Sequence, residues 1–184
     1  MLLKNHNPRG GTELKYECNE REKIMEKITS KQDNVYVLKN FLEDKECDKY
    51  YNMINNIGYQ PSNVEWEDRT LDITEDLITT KVKKYLNKKF DLNLKEQQTQ
   101  IQNHHVNSAL GMHVHNDPYR GSVKYNSLIY LNDDFDGGEF VTRSGIKIKP
   151  EKGMLTFFNS QTVWHGVNKV LKKDRKTIIF WWWD

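Results

Sequence analysis

The chain has 184 residues, with 28 Lys or Arg against 26 Asp or Glu and a net charge of +2. That length fits one domain able to bury a core without disulfides, and the near balance of charge singles out no polyanionic partner, so no nucleic acid is expected. No apolar run approaches the roughly 20 residues of a membrane span, and Cys18 and Cys47 lack the CxxC spacing of a thiolate zinc site, so free thiols in a soluble, intracellular, cytoplasmic protein are expected.

In chain order, residues 1–34 are polar, with the turn-prone Asn7-Pro8-Arg9-Gly10-Gly11 and a charged run from Glu17 to Lys31, and are expected to form a flexible amino-terminal arm. Residues 35–184 are expected to form a single domain. β-Branched and aromatic residues between Val35 and Leu42 predict a strand, and Cys47, Tyr50, Tyr51, Ile54 and Ile57 fall at helical spacing before Gly58. A strand-like piece surrounds Trp66. A second amphipathic helix is predicted from Ile78, Val82, Tyr85, Leu86 and Phe90, with Thr74 as its N-cap. Its lysines (81, 83, 84, 88 and 89, with 95) read as a solvated basic edge.

From Thr99 the texture changes to eight short β-rich runs broken by Gly, Asn and Asp: 99–106, 111–116, 123–132, 138–143, 146–149, 154–159, 164–170 and 175–183. This predicts a mostly β architecture, an α+β chain in which two amino-terminal helices support a double-sheet jelly roll or barrel with its core in 99–184. The closing Phe180-Trp181-Trp182-Trp183 reads as a strand that buries alternate rings.

Within this half, His115 and Asp117 are two residues apart, so an extended strand puts both on one face. His165 supplies a second imidazole from another predicted strand. Two histidines and one carboxylate make the facial triad that leaves positions open on iron(II) for a chelating cosubstrate and dioxygen. His113 shares the face of His115 and is expected at the rim of the site. Arg175, ten residues past His165, offers a guanidinium that binds a carboxylate through two parallel hydrogen bonds. Gly137-Gly138 reads as a turn that only glycine accommodates.

The order and spacing of Tyr130-Leu131-Asn132-Asp133, Asp136-Gly137-Gly138-Glu139-Phe140, Pro150-Glu151-Lys152-Gly153-Met154, Phe157, and His165-Gly166-Val167 through Val170 to Arg175 carry a resemblance. Over residues 99–184 the chain resembles the prolyl 4-hydroxylase-like branch of the iron(II)- and 2-oxoglutarate-dependent oxygenases. The resemblance implies a distorted double-stranded β-helix, a cupin-like barrel, with iron(II) on His115, Asp117 and His165. It implies that Arg175 and Tyr130 hold the far carboxylate of 2-oxoglutarate. It also implies use of dioxygen, release of succinate and carbon dioxide, hydroxylation of an unactivated carbon, and ascorbate as a reductant. Where the family often has a tyrosine, ten residues before the first metal histidine, this chain has His105, expected as a hydrogen-bond donor in the pocket while His104 faces away. Glu139 is expected to be structural, and Arg120 and Lys124 to lie at a substrate rim. A peptidyl prolyl residue or another protein side chain is the first expected substrate, and a small molecule, free amino acid or nucleobase the alternative. A non-catalytic cupin-like module holding a metal or sugar is the reading of a different class, and it gives Arg175 nothing to do.

Overall fold

A computed structural model describes residues 24–30, 32–56, 69–116 and 123–184. Cys18, Gly58, Trp66, Asp117 and Arg120, and the arm before residue 24, lie outside the described residues. The far end of the expected arm is a correction: Glu26–Ser30 forms a strand, β1, antiparallel to β2 (Asp33–Leu38), with Ile28 opposite Val35. Only Ile28 turns a large apolar side chain to the core, which is the signature of an edge strand and too faint to read amid charge.

Helix α1 (Asp44–Asn56) buries Cys47, Tyr50 and Ile54, and after β3 (Arg69–Asp72), α2 (Leu77–Phe90) buries Ile78, Val82 and Leu86. The N-cap of α2 is Asp76, not Thr74. Asp76 has extended backbone and its carboxylate accepts from Ile78 N at 2.9 Å, whereas Thr74 Oγ1 is occupied by Thr99 N at 3.1 Å.

The eight β-rich runs become β4 (Lys95–His104), β5 (Leu110–His113), β6 (Tyr125–Tyr130), β7 (Phe140–Thr142), β8 (Lys147–Ile148), β9 (Leu155–Asn159), β10 (His165–Val167) and β11 (Arg175–Trp183). They assemble, all antiparallel, into a seven-stranded sheet in the order β1-β2-β9-β6-β11-β4-β3 and a four-stranded sheet in the order β5-β10-β7-β8. This is the double-stranded β-helix with two supporting helices.

Because successive side chains alternate across a strand, the large sheet has two unlike faces. Ile101, Ile129, Ile178, Phe180 and Trp182 point to one and pack with α1 and α2 in the main core. Val35, Val37, Leu128, Tyr130 and Phe158 point to the other, meeting Phe140, Ile146 and Ile148 of the small sheet. The tryptophan-rich end follows the same parity: Trp182 is buried on the helix face, while Trp183 is exposed. No helix among the described residues is long and apolar enough to cross a membrane.

Candidate functional site

Register decides what enters the space between the sheets. In the β4–β11 pair Arg175 lies opposite His104 and Thr177 opposite Gln102, and in the β6–β11 pair Thr177 lies opposite Tyr130. Directly opposed residues of antiparallel strands share a face. Arg175, Thr177, His104 and Gln102 therefore line one cavity, which reaches His113, His115 and His165 at its other side.

Arg175 is 2% exposed. Its Nε donates to Gly138 O at 3.0 Å, and its charged carbon lies 5.1 Å from the centre of the Tyr130 ring. Gly138 supplies that carbonyl from a left-handed conformation (φ 63°), and a Cβ there would stand 3.0 Å from Arg175 Cδ, so the Gly137-Gly138 turn fixes the guanidinium directly. No carboxylate pairs with Arg175 among the described residues. The Tyr130 and Thr156 hydroxyls are buried nearby with no partner of good hydrogen-bond geometry. Burial pushes the Tyr130 phenol up, against the pull of the guanidinium, and pushes Arg175 down.

On the opposite wall, His165 of β10 lies directly across from His113 of β5, with ring centroids 4.3 Å apart. Gly166 permits this approach, since a Cβ there would come within 2.6 Å of Leu110 O. His115 follows β5 and is tied by its backbone N–H to Ser160 O at 2.9 Å. The three imidazoles present ligand nitrogens all within 4.8 Å of one another. Burial, then the neighbouring His113, holds His115 down to about 4 and His165 down to about 3, so both rings are neutral with lone pairs available at neutral pH. Asp117 lies outside the described residues.

His105 is not brought to the cavity. Its Nδ1 pairs with Asp174 Oδ2 at 2.7 Å, and His104, 1% exposed and opposite Arg175, takes the inward position. Burial first, then the Arg175 charge, holds His104 down to about 3. Lys124 is engaged by Asp184 at 2.7 Å, and Glu139 bridges Lys147 and Asn168 as a structural link. Gln102, Thr177 and Trp181, which also line the cavity, were not singled out by the sequence reading, although parity with Arg175 along β11 marks the last two.

Comparisons with known proteins agree with this geometry. Residues 99–183 match the family model described as the 2OG-Fe(II) oxygenase superfamily. Within that class the likeness runs to the prolyl hydroxylases. Prolyl 3-hydroxylase 2 of Mus musculus is 41% identical over 64 residues, which are 31% of this chain and 9% of that protein. The chain thus spans about a tenth of the length of the curated relatives it matches. Among solved structures, the viral collagen prolyl hydroxylase of Paramecium Bursaria Chlorella virus-1, in its 2OG complex, superposes with a TM-score of 0.66 at 19% identity, covering 80% of this chain and 94% of that one. A Pseudomonas putida prolyl-4-hydroxylase gives a TM-score of 0.60 at 16% identity, covering 80% and 91%.

Proposed function

We propose that the chain hydroxylates a prolyl residue, or another side chain, of a peptide or protein substrate. In this reading His115, Asp117 and His165 hold iron(II), and Arg175 with Tyr130 holds the far carboxylate of 2-oxoglutarate. The observation that carries it is the buried guanidinium with no carboxylate partner among the described residues, in the same cavity as the converging imidazoles. An unpaired buried cation costs several kcal/mol, on the order of the 3–5 kcal/mol lost when a buried pair is broken, and a dicarboxylate cosubstrate removes that cost. A metal- or sugar-holding module without such a ligand leaves the cost standing.

The donor set fits the metal. Neutral imidazoles with a carboxylate suit iron(II) and leave positions for a chelating cosubstrate. When bound, the metal and cosubstrate together supply the oxidising chemistry that functionalises an unactivated carbon. The chain's own residues do the rest. The Val163 carbonyl accepts from His165 Nδ1 at 2.9 Å, which leaves the lone pair on Nε2 facing the cavity. Arg175, gripped by Gly138 O, orients the cosubstrate by its charged end, with the Tyr130 hydroxyl free to donate to the same carboxylate. Leu128, Phe140 and Phe158 line the space between and keep water out.

The prolyl assignment draws on the prolyl hydroxylases among the similar structures, and the experiment is a substrate screen. Iron(II) and 2-oxoglutarate are titrated in anaerobically, oxygen is admitted, and proline-containing peptides are tested for the gain of one oxygen atom together with succinate. Stimulation of succinate formation by free amino acids or nucleobases alone would overturn the peptide assignment while leaving the chemistry intact.

A further inference from the structure

We propose that Gln98 and Gln100 of β4, with Asp72 of β3, hold the main chain of an extended peptide substrate at the mouth of the cavity. The proposal rests on the functional reading above and deepens it, naming what this chain grips beyond the reacting residue. Three observations carry it.

The first is a gradient of burial that locates the mouth. Along β11, Arg175 and Thr177 are buried, while Ile179 and Trp181, which line the same cavity, are half-buried. Their direct partners on β4 follow the same course: His104 and Gln102 are buried, Gln100 and Gln98 half-buried. The barrel face is therefore closed at the Arg175 end and open at the end of Trp181 and Gln98, so a substrate enters over Gln98 and Gln100. The second is chemistry. β4 turns Gln98, Gln100 and Gln102 to this face at alternate positions, and a primary amide offers an acceptor oxygen and a donor NH2, the same pair as a peptide group. Alternate residues of a strand recur about every 6.5–7 Å and those of an extended or polyproline chain about every 6–7 Å, so neighbouring glutamines match the arm of a substrate that runs out of the cavity along β4. The third is orientation. Gln98 Nε2 donates to Asp72 Oδ2 at 2.9 Å, and a carboxylate only accepts, so the amide is held one way round with Oε1 left to take an N–H. Asp72 is fixed in turn, opposite Gln100 in the β3–β4 pair and with its Oδ1 accepting from Thr74 N at 2.9 Å. Gln100 makes no hydrogen bond among the described residues, so its oxygen and its NH2 are both open to a ligand.

Recognition through peptide groups is indifferent to the side chains of the substrate. Neither glutamine carries a charge, and the one charged member, Asp72, is committed to Gln98 and Thr74. The mouth therefore selects a polypeptide over a free amino acid or nucleobase, by length and extended conformation rather than by flanking sequence. A prolyl segment holds that conformation in advance, because the polyproline II helix has no internal hydrogen bonds and leaves its carbonyls to outside donors such as the Gln100 NH2. Proline has no N–H, so the Gln98 oxygen calls for another residue type at its own position.

The test uses the full chain with iron(II) and 2-oxoglutarate in the absence of oxygen, so that binding is read without turnover. The probes are a fluorescently labelled pool of proline-centred nonapeptides with mixed flanks, followed by anisotropy, and N-acetyl-prolinamide as a competitor too short to reach the glutamines. The parent should bind the nonapeptides more tightly than the short probe. Gln98→Ala and Gln100→Ala should each weaken nonapeptide binding roughly 2- to 10-fold, the net worth of a neutral hydrogen bond, and leave the short probe unchanged. Parental 2-oxoglutarate affinity in both variants checks that the fold is kept. Replacing the peptide N–H groups one at a time by ester oxygens should weaken binding to the parent at one position and have no further effect there in Gln98→Ala, a coupling that a merely structural glutamine would not show. Parental nonapeptide affinity in both variants, or an equal loss for the short probe, would overturn the proposal. Failure of the underlying reading looks different: the parent itself would bind none of these peptides, while a free amino acid or nucleobase stimulates succinate formation.

Discussion

The two faces of the seven-stranded sheet are made by the same strands and do opposite things. Toward α1 and α2, β4, β6 and β11 present Ile101, Ile129, Ile178, Phe180 and Trp182, all fully buried and apolar. Toward the small sheet the alternate residues of those strands include, beside the apolar Leu128, Gln102, His104, Tyr130, Arg175 and Thr177, also buried but polar or ionisable. Apolar burial stabilises by about 1.5–3 kcal/mol per large side chain, whereas each buried polar group costs unless it is paired. The helix face thus holds the fold together and offsets what the barrel face spends on a site waiting for ligands. Shifting a strand by one residue would exchange the two sets, so the register of β11 fixes stability and chemistry together.

Single substitutions separate the faces. Trp182→Ala should have the largest effect, about 3–5 kcal/mol of lost stability in denaturant titration, because it empties a filled site and strands Ser127 Oγ, which accepts from the indole N–H at 2.8 Å. The protein that remains folded should bind 2-oxoglutarate as the parent does. A loss of cosubstrate affinity as large as the loss of stability would show that the faces are not separable.

Arg175→Ala should do the reverse. Removing the guanidinium from a buried charge-assisted pair costs on the order of 3–5 kcal/mol, or roughly two to three orders of magnitude in 2-oxoglutarate affinity. Metal affinity should stay near parental, and Arg175→Lys should keep part of the binding through its point charge while losing the fork. Parental 2-oxoglutarate affinity in Arg175→Ala would mean that another cation holds the carboxylate.

The third effect is absent at neutral pH and sharpens the comparison only on acidification. His104 titrates near its ordinary value when unfolded but is held down to about 3 in the fold, so the unfolded chain binds the extra proton between those limits. The stability it contributes is fully present above about pH 6.5 and is lost as pH falls toward the folded value. Within that window one such group gives a slope of about 1.4 kcal/mol per pH unit. His104→Gln in the metal-free protein should flatten the acid limb by up to that amount, seen in stability against pH. An unchanged limb would place His104 in water, outside the barrel face.

The sequence marked what depends on local pattern. Eight turn-separated runs became eight strands, and the spacing of apolar residues placed both helices. What it could not mark depends on partners far along the chain. His104 and His105 are equivalent as neighbours, and only pairing with Arg175 across β11 sends His104 inward and leaves His105 to Asp174. Thr74 and Asp76 are both good caps, and the choice was made by Thr99 engaging Thr74. Strand β1 carries five residues with little apolar signal and exists because β2 offers it an edge. His113 had the right parity, but its cross-strand meeting with His165 is a fact of the assembled sheets.

The placement of β11 between β4 and β6 has a kinetic meaning as well. A strand paired on both sides exposes its amides to deuterium only when the whole sheet opens, whereas an edge strand such as β5 exchanges by local fraying. Arg175 is therefore mounted on a strand paired along both edges, and His113 on an edge strand. In the proposed function, the charged end of the cosubstrate would meet an anchor that keeps its shape for as long as the protein stays folded.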